Sequence, residues 1–340
     1  LKVLRTNVCE LNCRYCAINC HRSVKRASFR PEELAKTFME MHERKMVAGL
    51  FLSSGVAGGA IRTAEKLMQT VEILRHRYRF RGYVHLKIMP GQPPDYIQRA
   101  VELADRVSIN LEAPTPQHLS LIAPRKDFWD LMRIIEEIHR LQRRYPHKLR
   151  AGQITQLVVG AAGERDLEIL RTAQHLYATY DLRRVYYSAY RPVCGEVLAP
   201  PATKTREHRL YQADRLLRLY RFRLEELPFQ ADGSLPQEVD PKLEWALRHP
   251  ERFPVEVNRA PWEELVRVPG IGPTGAERII ALRRQTHIRE PRALASLGIR
   301  ASRALPFLLL DGRYWGGQRW KEALDRPEEA YQLAIPLAEP

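Results

Sequence analysis

The reading of the chain turns on eight residues, Cys9-Glu-Leu-Asn-Cys13-Arg-Tyr-Cys16. The spacing is Cys-x3-Cys-x2-Cys, on a loop directly after the first expected strand, Leu1–Val8. Three thiolates on one tight loop can take three irons of a cubic [4Fe–4S] cluster and leave the fourth open to a bidentate ligand. A zinc site needs four ligands, so Cys20 or His21 would have to complete it. Structural zinc knuckles usually stand alone, whereas this loop caps the first strand of a βα repeat, and that placement favours the cluster. Four of the five cysteines fall within Cys9–Cys20 and the fifth is Cys194. That is a poor disulfide framework and suits a cluster in a reducing, cytoplasmic compartment.

Working outward from the loop, short apolar runs alternate with helical stretches up to about Pro192. Strands are expected at Leu1–Val8, Gly49–Ser53, Gly82–Ile88, Arg106–Glu112, Ile154–Val159 and Arg184–Ser188. Helices are expected at Pro31–Arg44, Thr63–Arg77, Pro94–Asp105, Phe128–Arg144 and Glu164–Thr179, with Pro31 and Pro94 suited to first helical positions. Short apolar strands between helices indicate a covered parallel sheet, open and doubly wound or curled into a partial barrel. A basic helix is expected over 203–227 and a loop over 228–241.

The cysteine spacing, with aromatic Tyr15 before the third cysteine, resembles the hallmark of the radical S-adenosylmethionine (SAM) superfamily. The resemblance implies a partial (β/α)6 barrel, a [4Fe–4S] cluster on Cys9, Cys13 and Cys16, and SAM chelating the fourth iron. It also implies an electron donor such as flavodoxin or ferredoxin and a 5′-deoxyadenosyl radical that abstracts hydrogen from a substrate. Cys20 is then a non-ligand. Ser53, Ser54 and Gly55 end the second strand where the superfamily has a Gly-Gly-Glu-like turn for the SAM amino group. Lys87 shares a strand face with His85 and needs a partner, the SAM carboxylate or Glu112. Ser108, Asn110 and Glu112 alternate with apolar residues, and a face that polar cannot be core without a polar ligand. Gln153 and Thr155, with Gln156, repeat the pattern; Val159 is expected beside adenine, and Tyr187 near the strand ends. Spore photoproduct lyase, a DNA-repair radical SAM enzyme, has a similar serine, lysine and serine, which supports Ser54, Lys87 and Ser108. Cys194 falls on the rim after the sixth strand, as a packed thiol or a hydrogen donor to a product radical.

The second informative run is Val268-Pro269-Gly270-Ile271-Gly272-Pro-Thr274-Gly275-Ala-Glu-Arg278. It resembles the helix-hairpin-helix motif, with Asn258 as the expected cap of the first helix and Arg283 and Arg284 adding charge. A degenerate second copy spans Leu294–Arg303. Such hairpins hold nucleic-acid backbone through amides at a helix N-terminus without reading sequence. The charge agrees: 55 basic minus 40 acidic residues leave +15, which favours a polyanionic partner.

With 44% hydrophobic and 28% charged residues over 340 positions, the chain has globular composition, which excludes collagen-like and disordered classes. Apolar runs such as Phe307–Leu310, four residues long, are far too short for a membrane span. The expected organisation is a barrel over 1–198, a helical linker over 199–250, a small all-α hairpin domain over 251–312 and a tail over 313–340. From Leu1 to about Leu310 the chain resembles a family of radical SAM proteins assigned to DNA modification or repair and encoded beside a uracil-DNA-glycosylase-like protein. Segments such as Leu4-Arg-Thr-Asn-Val-Cys9, Gly82-Tyr-Val-His-Leu-Lys87, Thr155-Gln-Leu-Val-Val-Gly160 and Glu207-His-Arg-Leu-Tyr-Gln-Ala-Asp214 carry it. Members usually have an upstream segment, and this chain opens on Leu1, so one is expected. DNA as the expected substrate rests on the hairpin and the charge, and the resemblance adds the glycosylase-like protein as an expected partner. The rival expectations are an RNA-modifying radical SAM enzyme, a DNA-binding iron–sulfur scaffold for a glycosylase, and a small-molecule radical enzyme with an incidental hairpin.

Overall fold

The computed structural model describes residues 1–193, 197–324 and 333. The chain forms two compact units: Leu1–Glu164 with Arg171–Glu207, and Arg165–Leu170 with His208–Pro340.

In the first unit the elements run β1 (Lys2–Leu4), α1 (Pro31–Glu43), β2 (Leu50–Ser53), α2 (Gly59–Glu72), β3 (Val84–Lys87), α3 (Pro94–Leu103), β4 (Arg106–Ser108), α4 (Pro116–Ile122), α5 (Phe128–Arg144), β5 (Gln153–Val159), most of α6 (Asp166–Tyr180) and β6 (Arg184–Ala189). All six strands are parallel and stand in chain order, β1 to β6. A doubly wound sheet would reverse its order part-way, so this sheet is the curled, partial-barrel kind. One face packs on the helices: Leu50, Leu52, Val84, Leu86 and Val107 are all at most 1% exposed. The helices answer with buried stripes, Leu131, Ile134, Ile135, Ile138 and Leu141 on α5. Asp127 caps α5 by accepting a bond from the Asp130 amide at 2.6 Å. The short α4 was not anticipated; its start is a Thr115 cap followed by Pro116, set in a run that reads as loop.

The fourth strand stops earlier than Glu112. Ser108 pairs with Ile154, yet Glu112 bridges Leu157, so four residues are spanned against three. The extra residue is absorbed as a bulge, and Glu112 takes φ +67°, a left-handed conformation rare outside glycine. Its amide donates to the Gln156 carbonyl at 2.9 Å and its carbonyl accepts from Val158 at 2.7 Å, which holds the kink in place.

The second unit contains most of α7 (Lys204–Leu219), then α8 (Pro241–Arg248), β7 (Val255–Glu256), α9 (Trp262–Leu265), α10 (Pro273–Arg283), α11 (Pro291–Ser296), α12 (Ala301–Ala304), β8 (Leu308–Leu310), β9 (Arg313–Tyr314) and α13 (Gln318–Leu324). The region is helical as expected, with a small β7–β8–β9 sheet in addition. The basic helix ends at Leu219, short of the expected 227, and Arg221 follows at φ +57°. Asn258 does not cap α9. A turn at Arg259 and Ala260, whose amides donate to the Glu256 carbonyl, intervenes, and Asn258 instead clamps Ile288, donating to its carbonyl at 3.0 Å and accepting from its amide at 2.8 Å.

Candidate functional site

The cysteine loop is held by backbone bonds that its motif does not advertise. The Arg26 guanidinium donates to the carbonyls of Asn7, Ile18, Asn19 and Arg22. Asn19, buried, donates to the Cys13 carbonyl at 3.2 Å, and the Cys16 amide donates to the same carbonyl at 3.0 Å. The carboxylate of Glu10 accepts from the amides of Gly58 and Gly59 at the start of α2, a favourable place for an anion. Gly55 is glycine because the loop rests on it: a Cβ there would meet the Val8 carbonyl oxygen at 2.2 Å. Its amide donates to Thr6 at 2.8 Å.

The loop opens onto a cavity of about 870 Å³ inside the barrel, in the range of a small-molecule site. Cys9, Cys13 and Cys16 line it, with Ser53, Ser54, Lys87, Ser108, Asn110 and Glu112 from the strand ends. Cys20 and His21 are not among the lining residues, and Cys20 Sγ accepts a weak bond from Arg125 at 3.8 Å. Among the described residues no three His, Cys, Asp or Glu side chains converge as ligands of a single ion. A cubic cluster does not require that, since each thiolate takes a different iron.

Lys2, Lys87, Arg106 and Lys126 line the cavity, and Lys87 and Lys126 bond its polar residues Ser108, Asn110 and Glu112. Lys87 donates to Asn110 Oδ1 and, at 3.4 Å, to Ser108 Oγ. Burial first, then Lys126 and Lys2, push its pKa down to about 7, with Glu112 opposing. Ser108 also meets His85 Nε2 at 2.8 Å, and burial and the nearby cations push His85 down to about 3, which keeps the ring neutral. Lys126 was not anticipated. It donates to Glu112 Oε1 at 2.7 Å in a pair whose side chains are 9% and 4% exposed. Burial alone would lower its pKa, but Glu112 and the Cys13 and Cys16 thiols hold it above the ordinary lysine value. Lys126 lies 3.5 Å from the Tyr15 hydroxyl. Burial raises the thiol pKa of Cys13 and of Cys16, and Lys126 pulls both back.

In the second unit, Gly270 turns at φ +88°, where a Cβ would press on the Arg300 carbonyl at 3.0 Å. Pro269 and Ile271 are buried and pack the hairpin, whereas Thr274 is exposed at the start of α10. Gly275 packs against Ile299 of the second hairpin, whose Gly298 repeats the left-handed turn at φ +75°. Arg278 donates to the Leu297 carbonyl at 2.8 Å, and Arg283 is tied to the carbonyls of Val257 and Ala260. Beside the hairpin a cavity of about 210 Å³ is lined by Arg215, Lys242, Arg300 and Arg303, with Asp240 paired to Arg303. Lys242, also unanticipated, is buried and donates to the Ile271 carbonyl.

A superfamily profile described as Radical SAM matches residues 3–176, just over half of the chain, including the cysteine loop and all of the cavity lining except Lys2 and Tyr186. The chain belongs to the radical SAM superfamily. Members are enzymes that use a [4Fe–4S] cluster and SAM. A helix-hairpin-helix motif matches residues 252–294, which indicates nucleic-acid binding. No curated protein matches the sequence. Among solved structures, the FeFe-hydrogenase maturase HydG from Carboxydothermus hydrogenoformans is similar at a TM-score of 0.52 and 14% identity, over 64% of this chain and 50% of that one. A second HydG structure gives 0.50 and 14%, over 63% and 49%. At such identity the likeness shows the fold alone, and the chain spans about half the length of these structures.

The radical SAM cavity fits its group: three thiols on one wall, a lysine bonded only to neutral partners, and the buried Glu112 Oε2 with no hydrogen-bond partner. Three expected SAM contacts are corrected. The register Ser108↔Ile154 and Gln156↔Tyr186 puts Ile154, Gln156 and Tyr186 on the cavity side, so Gln153, Val159 and Tyr187 face the helices. Gln153 donates to the carbonyls of Ile135 and Tyr180, and Val159 and Tyr187 are buried. Thr155 touches the cavity, but its hydroxyl donates to the Ile109 carbonyl and accepts from the Leu111 amide. Glu112 lines the cavity with Lys126, not Lys87, as its ion-pair partner. Cys194 lies outside the described residues.

Proposed function

We propose that the chain is a radical SAM enzyme acting on DNA, in modification or repair. The carrying observation is that the thiols of Cys9, Cys13 and Cys16 share one cavity with Lys87, Ser108 and Asn110, in a chain that also has a helix-hairpin-helix motif. When bound, the cluster and SAM supply a 5′-deoxyadenosyl radical for hydrogen abstraction. Cys9, Cys13 and Cys16 hold the cluster. Lys87, which lacks a carboxylate partner of its own, binds the SAM carboxylate as ammonium. Ser108 and Asn110 fix the position of that ammonium, and Ser53, Ser54 and Gln156 offer oxygens to the amino and ribose groups. The barrel interior keeps water from the reacting atoms.

The hairpin amides near Gly270–Gly275 and the neighbouring arginines hold phosphate oxygens without reading sequence. The target nucleotide leaves the duplex stack to enter the cavity. A glycosylase-like protein acting on the same DNA is the proposed partner, and a low-potential flavodoxin or ferredoxin the electron donor.

The test is anaerobic reconstitution with iron and sulfide, reduction with dithionite, and chromatography of 5′-deoxyadenosine with and without DNA or RNA. Deoxyadenosine that Cys13→Ala abolishes and DNA increases supports the reading. An increase with RNA alone moves the substrate to RNA. Intact SAM beside a fully loaded cluster overturns the enzyme reading in favour of an iron–sulfur scaffold.

A further inference from the structure

We propose that Lys126 and Glu112 act as a balanced charge pair beside the cluster on Cys9, Cys13 and Cys16, each shifting its reduction potential and each offsetting the other, Lys126 favouring the reduced state and Glu112 opposing it. The proposal rests on the cluster-binding part of the functional reading above.

The pair is built into the cluster's surroundings. Both residues line the same cavity as the three thiols, and their 2.7 Å ion pair is almost wholly removed from solvent. Lys126 also reaches the hydroxyl of Tyr15, which lies between Cys13 and Cys16.

A structural salt bridge would need neither the position nor the strain. Glu112 closes the bulge that follows β4, in a left-handed conformation rare outside glycine. Two backbone bonds to β5 sustain it. The carboxylate is delivered buried, with Oε1 on Lys126 and Oε2 without a hydrogen-bond partner. Burying two charges this way is seldom a gain over apolar packing, which leaves room for a role in the site.

The electron balance is simple. The cluster takes one electron from a low-potential one-electron donor, and its charge becomes more negative by one; no bond or proton moves. In a low-dielectric interior a nearby ammonium stabilises the more negative state and a nearby carboxylate destabilises it. In the intact pair the two effects largely cancel. Each residue removed alone exposes the other's field.

The test uses the reconstituted full chain in a spectroelectrochemical titration, with the reduced cluster followed by electron paramagnetic resonance. Lys126→Met is expected to lower the reduced-to-oxidised ratio at a fixed potential about tenfold, a fall of about 59 mV for one electron. Glu112→Gln is expected to raise it by a similar factor. The double variant, which leaves no orphaned charge, is expected to return to within about threefold of wild type. Shifts of the same sign, no shift, or a double variant as displaced as either single one overturn the proposal. Should Lys126→Met fail to hold iron, Lys126→Arg must keep both iron and potential; loss of either overturns the proposal as well. A wild-type chain that binds no cluster overturns the functional reading and this inference together. A loaded wild type with unmoved variants overturns the inference alone.

Discussion

Lys126 and Lys87 line the same cavity and meet different company there. Lys126 has a carboxylate of the protein at 2.7 Å and is held charged by it. Lys87 has a hydroxyl and a side-chain amide, and its pKa sinks to about 7. A buried amine with its own counter-charge is a finished piece of structure. One whose neighbours are neutral dipoles is poised for an anion that comes from outside. The difference separates the wall beside the cysteine loop, whose charge the fold completes, from the wall along β3 and β4, whose charge the SAM carboxylate completes in the proposed function.

Breaking the finished pair should have the largest effect. Glu112→Ala leaves the Lys126 ammonium buried and alone, which typically costs roughly 3–5 kcal/mol. Urea unfolding of cluster-free protein reads that loss. Lys87→Met in the same assay should leave stability unchanged or raise it, since it removes an amine whose burial opposes its charge without orphaning an opposite one. Equal losses in the two variants would erase the distinction. The SAM-binding assay should reverse the order: Lys87→Met should weaken SAM at least tenfold, about 1.4 kcal/mol.

The second prediction concerns protons. The folded pKa of Lys87, about 7, is below its unfolded value of 10.5. Its contribution to stability is therefore fully present above pH 10.5 and is lost as pH falls through 7, at most about 1.4 kcal/mol per unit. A bound carboxylate stabilises the ammonium and lifts that pKa. Between pH 8 and 9 SAM binding should take up close to one proton, and affinity should decline as pH rises above 7. Calorimetry in two buffers of different ionisation enthalpy counts the proton. Uptake that persists in Lys87→Met would assign it to another group.

Much of this arrangement was legible before any coordinates. The cysteine spacing, the alternation of short apolar runs with amphipathic helices, and the polar side chains of β3 and β4 place Cys9, Cys13, Cys16, Lys87, Ser108 and Asn110 on one cavity. The hairpin was legible through Pro269-Gly270-Ile271-Gly272, a run that few other turns require. Lys126 was not legible, because it stands in the turn before α5, 110 residues beyond Cys16, with no motif around it. Arg26 was hidden for a related reason: it serves backbone carbonyls, and carbonyls carry no sequence. The bulge before Glu112 shows only in register, as four residues set against three.

The fifth strand yields the smallest prediction and explains the one systematic misreading. Period-two alternation correctly puts Gln153 and Thr155 on one face, but it does not say which face is inside. Polar residues usually mark the cavity side, because the helix side is apolar. Here the rule inverts: the Gln153 amide finds the carbonyls of Ile135 and Tyr180, and Thr155 finds the backbone of Ile109 and Leu111. A polar side chain fully satisfied by backbone is as much at home against a helix as a leucine. The swap Gln153→Ala should therefore cost about 1–3 kcal/mol in unfolding, from two carbonyls left unsatisfied, and leave SAM affinity unchanged. Gln156→Ala, three residues along and on the cavity side, should leave stability within about 0.5 kcal/mol. Its effect should appear in SAM binding, as a weakening of a few-fold that isothermal titration resolves. If Gln153→Ala moved the SAM affinity and Gln156→Ala did not, the inward face of β5 would be assigned wrongly, and with it the partners of SAM opposite Lys87.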